Sequence, residues 1–315
     1  MTAIIYHPDY LLHETGSHPE RKERLIAIMQ LIEESGLDLR RIEPEPALIE
    51  EITYIHDPAY IEKAKYHSEH EIPLDPDTVL CKDSYSAALL AAGGAIRAVD
   101  TAIDVALDGG GDNAFALLRP PGHHALPDRG MGFCIFNNIA IGARHAQLRG
   151  CERVLIVDWD VHHGNGTQHV FYDDPSVFYF SVHQYPYYPG TGSAGETGAG
   201  AGAGYTANVP LPAGSGDAAY IDSFEKILVP AAMKFDPDIV LVSAGFDAHV
   251  DDPLAGMVVT TQGFGKMASI VSSIADQYCE GRLAMVLEGG YDLTSLSRSV
   301  VRVLGVMSGA AVPDT

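Results

Sequence analysis

The segment 158–168, with the sequence DWDVHHGNGTQ, places two aspartates and two histidines within six positions, directly after the apolar run RVLIV. Asp160 and His162 are two residues apart, so their side chains point the same way if the chain is still extended there. A carboxylate and an imidazole on one side form half of a metal site. Asp247, after another apolar run, can complete it, because two carboxylates and one histidine leave a position open for water on a catalytic divalent cation. The alternative is a helix N-terminus, with Asp160 as its cap and His162 at the surface.

Two adjacent histidines, His123 and His124, occur in the motif PPGHHA. As neutral imidazoles they could act as acid and base, each oriented by a carboxylate, but they could also be loop residues that bond to backbone atoms. Tyr291 follows two glycines in EGGYD, where its hydroxyl could hydrogen-bond a developing oxyanion, although an aromatic plug over the sheet also fits this position. Cys134 lies in the apolar motif MGFCIFNN, which favours a buried structural thiol over a nucleophile.

These side chains need a frame that brings distant segments together. Short apolar runs that predict strands alternate with longer runs that predict helices. The predicted strands are 2–6, 113–118, 153–159, 176–182, 205–211, 238–244 and 282–289. The predicted helices are 18–36, 59–68, 83–107, 138–150, 166–174, 217–235, 262–279 and 293–309. This alternation predicts an α/β fold with a mostly parallel sheet that helices cover on both faces.

The candidate residues follow the predicted strands. In an open parallel sheet, ligands bind beyond the carboxyl ends of the strands. Histidines, aspartates and tyrosines follow five of the predicted strands: 113–118, 153–159, 176–182, 238–244 and 282–289. We therefore expect these loops to share one rim of the sheet.

The composition is that of an acidic globular protein. The chain has 315 residues, 46% of them hydrophobic, and its 42 acidic and 20 basic residues give a formal charge of −22. No linker or internal repeat divides it, so we expect a single domain, 1–315. The charge disfavours direct binding to nucleic acid and favours cationic ligands, such as polyamines or lysine-rich peptides, although greater solubility explains it equally well.

Features that would indicate secretion or membrane insertion are not evident. The four cysteines form no C-x-x-C pair, which is typical of reduced thiols. The stretch MTAIIYHPDY does not look like a signal peptide, and no apolar run approaches the length that spans a membrane. We therefore expect a cytoplasmic enzyme or binding protein. The glycine-rich segment 189–205 leads into a strand rather than a helix, which favours a mobile or tightly threaded loop over a phosphate cradle.

The chain resembles the histone deacetylase and acetylpolyamine amidohydrolase family over nearly its whole length, on the motifs RPPGHHA, GFCIFNN, DWDVHHGNGTQ, YYPGTG, GFDAHVDDPLAG and EGGYD. The motif HPERKERL, the asparagine of HHGNG and the run AGFDAH make it more similar to the class II branch. The resemblance implies a single three-layer domain with an arginase-like α/β fold and a mostly parallel eight-stranded sheet. It also implies an amidohydrolase with one Zn²⁺ per chain.

The resemblance also implies roles for individual residues. Three residues would bind zinc: Asp160, His162 and Asp247. His124 matches the general base that later acts as the acid, and His123 matches its electrostatic partner, which Asp158 orients. Tyr291 matches the hydroxyl that polarises the acyl carbonyl.

Further positions match the substrate tunnel and two monovalent-cation sites. Phe133 and Tyr188 would be the aromatic walls of the tunnel, and Gly132 and Gly289 would supply its backbone lining. Tyr188 stands where phenylalanine is common in the family, which adds a polar tip to one wall. K⁺ or Na⁺ would bind at an inner site formed by Asp158, Asp160, His162, Ser181 and Val182, and at an outer site formed by Phe171, Asp174 and Val177.

The sequence therefore predicts a zinc-dependent deacylase of N-acetylated primary amines, either acetyl-lysine in proteins or acetylpolyamines. It predicts no membrane partner, and it allows a homo-oligomer. One alternative is a two-manganese ureohydrolase of the same fold, with ligands offered by His249, Asp251 and Asp252; another is a non-catalytic protein that binds acylated amines. Acyl length, the choice of zinc over iron or manganese, the role of His249, and the choice of Asp75 or Asp77 as a rim aspartate stay open.

Overall fold

The computed structural model describes residues 2–104 and 113–311. Eight strands form one sheet: β1 (Ala3–Ile5), β2 (Arg40–Ile42), β3 (Ala114–Ala116), β4 (Val154–Asp158), β5 (Val177–Gln184), β6 (Thr206–Leu211), β7 (Ile239–Ala244) and β8 (Leu283–Leu287). Their order in space is β2-β1-β3-β8-β7-β4-β5-β6, and every pairing is parallel. The predicted α/β fold with eight strands is confirmed, and the sheet is parallel throughout rather than mostly so.

Burial explains why the central strands were visible in the sequence. β4 (VLIVD), β7 (IVLVSA) and β8 (LAMVL) are buried at every position, as expected for strands that helices cover on both faces. The edge strand β2 was missed, because its sequence RRI is largely exposed and carries no apolar pattern.

The described residues form ten α-helices: α1 (Glu23–Ser35), α2 (Ile49–Ile52), α3 (Pro58–Glu69), α4 (Ser84–Asp104), α5 (Asn138–Leu148), α6 (Asn165–Phe171), α7 (Asp217–Ser223), α8 (Val229–Phe235), α9 (Thr261–Tyr278) and α10 (Leu293–Ser308). In one layer α4 and α5 pack together, with α4 against β8 and α5 against β7; in the other α1, α9 and α10 pack together, with α9 against β7. The end of the predicted helix 83–107 lies outside the described residues.

Two helical predictions need correction. The segment 217–235 is not one α-helix, because a π-helical turn (Phe224–Leu228) separates α7 from α8. Pro230 has no N–H to donate to the preceding turn, which accounts for the changed hydrogen bonding there. By length and hydropathy α4 could span a membrane, so the prediction that no apolar run approaches that length is wrong. However, 78% of its most apolar window is buried inside the fold, which is typical of a core helix.

The sheet brings the candidate residues to one rim. β4 and β7 are neighbours, with Asp158 opposite Ser243, so the segments that follow them leave the sheet side by side. β8 lies on the other side of β7, and β3 lies beside β8. The loops after β3, β8, β7 and β4 therefore start next to one another, as the sequence predicted.

Candidate active site

Asp160, His162 and Asp247 meet just beyond the ends of β4 and β7. One ligand atom from each lies within 4.8 Å of the other two, and theirs is the one such group among the described residues. His162 Nδ1 is 3.2 Å from Asp160 Oδ1 and 3.1 Å from Asp247 Oδ2. The alternative of a helix cap and a surface histidine does not hold, because helix α6 begins further along the chain and Asp160 is buried.

Backbone amides fix both carboxylates. The N–H of Val161 donates to Asp247 Oδ1 at 2.9 Å, and that of Gly289 donates to Asp160 Oδ2 at 2.9 Å. These bonds leave Asp160 Oδ1 and Asp247 Oδ2 to face His162. A Cβ at Gly289 would lie only 2.3 Å from Asp247 Oδ2, so a side chain at this position cannot coexist with the observed carboxylate.

The electrostatics of this group favour a bound cation. Burial disfavours a charged imidazole, but hydrogen bonds to Asp160 and Asp247 outweigh it and raise the pKa of His162 to about 10. Burial and the charge of Asp160 raise the pKa of Asp247. Two buried carboxylates that share one imidazole therefore hold positive charge between them, and this donor set fits Zn²⁺.

His123 is tied to a buried carboxylate. Its Nδ1 lies 3.0 Å from Asp158 Oδ2, to which the hydroxyl of Tyr179 also donates at 3.0 Å. Burial alone would lower the pKa of His123, but the charges of Asp158 and Asp160 outweigh it and raise this pKa well above the ordinary value. His123 is therefore held as a buried cation, with its ring 4.0 Å from that of His124.

His124 differs from its neighbour in partner and in charge. Its Nδ1 lies 2.7 Å from Asn165 Oδ1, so the expectation that a carboxylate orients each histidine is wrong for His124. Burial and the nearby positive charge of His123 and His162 hold the pKa of His124 well below the ordinary value. With Nδ1–H donating to an amide oxygen, Nε2 of a neutral His124 is free to accept a proton. Asn165 is a residue whose role sequence reasoning missed, although its motif HHGNG was noted.

Tyr291 lines the same cavity and is 9% exposed. Its N–H donates to Asp252 Oδ2 at 2.7 Å, and the Arg24 guanidinium lies 5.1 Å from its ring centroid. Arg24 also donates to the carbonyls of Glu288 and Gly290, on either side of Gly289. Tyr291 therefore faces the cavity from a loop that buried polar groups hold in place, rather than closing the sheet as a plug.

A cavity of about 370 Å³ leads to these groups. Phe133 and Tyr188 both line it; Phe133 packs edge-on against Tyr291 at 5.8 Å, and Tyr188 packs edge-on against His124 at 5.2 Å. Gly132 also lines it, at a positive φ of 57° that suits glycine. The predicted tunnel residues thus surround one cavity, whose lining also includes His18, Cys134 and Leu254.

The residues whose roles were left open fall in different places. Asp77 lines the cavity and its N–H donates to Asp75 Oδ1, so of the two aspartates Asp77 is the one that reaches the cavity. His249 Nε2 lies 3.3 Å from the hydroxyl of Thr261, and His249 is not a member of the group that the three candidate metal ligands form. Asp252 accepts backbone N–H groups through both of its oxygens. Neither residue extends the metal site, as a two-manganese ureohydrolase would require.

At the predicted monovalent-cation positions, several side chains bond to other side chains of the protein. At the inner site, Ser181 Oγ lies 2.9 Å from His183 Nδ1, and Asp158 bonds to His123. At the outer site, Arg144 donates to Asp174 Oδ2 at 2.6 Å, and its guanidinium lies 4.7 Å from the Phe171 ring centroid.

Comparison with known proteins agrees with this geometry. The histone deacetylase domain family matches residues 18–307. A probable deacetylase of Archaeoglobus fulgidus is 41% identical over 98% of this chain and 87% of its own. The polyamine deacetylase HDAC10 of Homo sapiens is 38% identical over 99% of this chain, but only 49% of its own. The crystal structure of the HDA15 HD domain matches with a TM-score of 0.91 and 39% identity, over 100% of this chain and 90% of that chain. The chain therefore belongs to the histone deacetylase family and is a deacetylase, the class of enzyme that its sequence predicts.

Proposed function

We propose that this protein is a zinc-dependent amidohydrolase that removes acetyl or other short acyl groups from N-acylated primary amines. One observation carries the proposal: Asp160, His162 and Asp247 converge at a cavity whose walls present both His124 and Tyr291. His162, His124 and Tyr291 all line this cavity, so a substrate bound in it would lie beside all three. Bound zinc would supply Lewis acidity, which polarises an amide carbonyl and makes water more acidic.

His124 moves the proton in this scheme. Because its pKa is held low, it is neutral near pH 7, and its Nε2 can take the proton of the attacking water. The same nitrogen then returns the proton to the departing amine. The hydrogen bond from Nδ1 to Asn165 Oδ1 fixes the tautomer that this transfer requires.

Tyr291 and His123 stabilise negative charge. Burial and the charge of Asp247 raise the pKa of Tyr291 well above its ordinary value, so its hydroxyl keeps its proton and can donate to the developing oxyanion. The cation held at His123 adds a fixed positive charge within the same buried site. Both groups are in place before the reaction, so neither has to reorganise during it.

The cavity suits an acylated aliphatic amine. Phe133 and Tyr188 would bury the methylene stem, leaving the amide at its inner end. Asp77 and the acidic surface of the protein would attract a positively charged remainder, such as a polyamine or a lysine-rich peptide. Both acetyl-lysine and acetylpolyamines fit these properties.

The test is amide hydrolysis by protein loaded with one zinc per chain. We expect release of acetate from an acetyl-lysine peptide, acetylputrescine or both. The variant His124→Ala should be slower by roughly 100-fold or more, since a positioned acid–base group contributes about that factor. His249→Ala is the matched control, because His249 lies outside the cavity lining. Equal rates for wild type and His124→Ala would remove the proposed role of His124.

Three further features remain part of the proposal and need their own tests. K⁺ or Na⁺ at the two predicted sites would show as a salt-specific change in rate at constant ionic strength. Self-association would show in sedimentation at several concentrations. A cytoplasmic location would show in cell fractionation.

A further inference from the structure

A series of contacts that the proposed reaction does not use runs along one side of the cavity. We name it the loop bridge; it consists of Tyr187, Leu254, Asp252 and Tyr291. The hydroxyl of Tyr187 donates to the carbonyl of Leu254. The N–H of Leu254 donates to Asp252 Oδ1 at 2.9 Å, and the N–H of Tyr291 donates to Asp252 Oδ2 at 2.7 Å. Three hydrogen bonds in series thus join loops that follow β5, β7 and β8.

The two ends of the loop bridge lie at the two functional halves of the site. At one end, the ring of Tyr187 stacks on that of His162, with centroids 5.6 Å apart and planes 21° apart. At the other end is the backbone of Tyr291, whose side chain lines the cavity. Leu254, in the middle, lines the cavity as well. The bridge therefore connects a candidate metal ligand to the candidate oxyanion donor.

A buried aspartate such as Asp252 is an unusual residue for hydrogen bonds that only stabilise the fold. It is only 7% exposed, and burying a carboxylate costs free energy unless hydrogen-bond donors compensate for it. One of its oxygens accepts from Leu254 in its own loop, and the other accepts from Tyr291 in the loop that follows β8. An amide side chain would offer only one acceptor oxygen, so aspartate is the residue of this size that can accept from both.

We propose that Tyr187 and Asp252 are positioning residues, which hold Tyr291 at a fixed position relative to the candidate metal ligands through the backbone of Leu254. This inference rests on the proposed function, because it gives Tyr291 a part in the reaction. A hydroxyl that must meet one developing oxyanion tolerates little displacement, and a shift of about 1 Å can cost roughly 100-fold in rate. Loss of the bridge therefore lowers kcat more than it changes KM.

Hydrogen exchange tests the bridge without reference to activity. Tyr187→Phe removes one hydroxyl and keeps the ring that stacks on His162. Tyr66→Phe is the matched control, because Tyr66 lies on α3, is 54% exposed, and its hydroxyl bonds to no described residue. We expect the amides of Leu254 and Tyr291 to exchange roughly threefold faster or more in Tyr187→Phe, and at wild-type rates in the control. Unchanged exchange in Tyr187→Phe would overturn the inference.

Kinetics at saturating zinc test what the bridge does. Tyr187→Phe should lower kcat roughly three- to tenfold and leave KM within about twofold. A loss that further zinc abolishes, or a change in KM alone, would contradict a positioning role, because it would indicate weaker metal binding or weaker substrate binding instead.

A double variant provides an internal check. Asp252→Asn breaks the bridge at its centre, so adding Tyr187→Phe to it should lower kcat by less than about twofold further. Fully additive losses would show that the two residues act separately and would refute the bridge. If the wild type hydrolyses no acylated amine at all, the proposed function fails, while the exchange measurement still decides whether the bridge exists.

Discussion

Replacing Gly289 with alanine should disable the candidate metal site without replacing any of its ligands. A Cβ at this position would lie 2.3 Å from Asp247 Oδ2 and 2.7 Å from Asp160 Oδ2, distances that real Cβ atoms essentially never show. To restore even 3.0 Å, Asp247 Oδ2 must recede by about 0.7 Å, well beyond the roughly 0.2 Å within which metal–ligand distances usually hold. The φ of Gly289 lies outside the left-handed region, so alanine adds no backbone strain.

We expect Gly289→Ala to bind Zn²⁺ at least 10- to 100-fold more weakly, or about 1.4–2.8 kcal/mol, since altering the groups that orient metal ligands costs this much. Its kcat/KM should fall by roughly 100-fold or more, even when zinc is in excess. Competition with a chromophoric chelator measures the affinity. Gly195→Ala is the control, because nothing lies within 4 Å of its Cβ position. Wild-type affinity in Gly289→Ala would refute the close packing of Gly289 against the two carboxylates.

Other expected outcomes concern charge and burial. Asn165→Asp places a carboxylate 2.7 Å from His124 Nδ1, and its negative charge raises the pKa of His124. The acid limb of the pH profile of kcat/KM should therefore move up by about one pH unit. An unmoved limb would contradict the contact between residue 165 and His124. Burial lowers the pKa of His56 in the folded protein to about 4, whereas its ordinary value is 6.5. Between pH 6.5 and 4, this imidazole therefore binds a proton more readily in the unfolded state than in the folded state. Stability should therefore drop between pH 6.5 and 4, by on the order of 3 kcal/mol from this residue, and urea unfolding of His56→Gln should show a shallower drop. Arg119 donates to the buried carboxylate of Glu20 through two nitrogens, at 2.5 and 2.8 Å. Arg119→Met should therefore lower the free energy of unfolding by about 3–5 kcal/mol, measured by urea unfolding. A loss of stability below about 1 kcal/mol would show that the ion pair is not needed.

The sequence was most informative about the candidate metal site and the central sheet. Asp160 and His162 stand two residues apart beyond a strand that is buried at every position and mostly apolar, and the same holds for the strand that precedes Asp247. Two buried parallel strands with polar residues at their carboxyl ends predict a rim site on physical grounds alone. The convergence of Asp160, His162 and Asp247 was therefore accessible before the structure, while their role as metal ligands stays a prediction.

What the sequence did not reveal depends on contacts between distant segments. Asn165 was noted only as part of the motif HHGNG, because nothing in the neighbouring sequence shows that its amide contacts His124. Arg24 belongs to a charged run that reads as the exposed face of a helix, yet it is fully buried and holds the backbone on either side of Gly289. Asp252 looked like a spare metal ligand, whereas its oxygens accept backbone N–H groups.

The most direct test of the central claim is anomalous diffraction above and below the zinc absorption edge, from crystals of protein loaded with Zn²⁺. We expect one strong peak per chain, in contact with carboxylate oxygens of Asp160 and Asp247 and with Nδ1 of His162. A chain without a peak among these three residues, or with its zinc held elsewhere, would contradict the proposed active site.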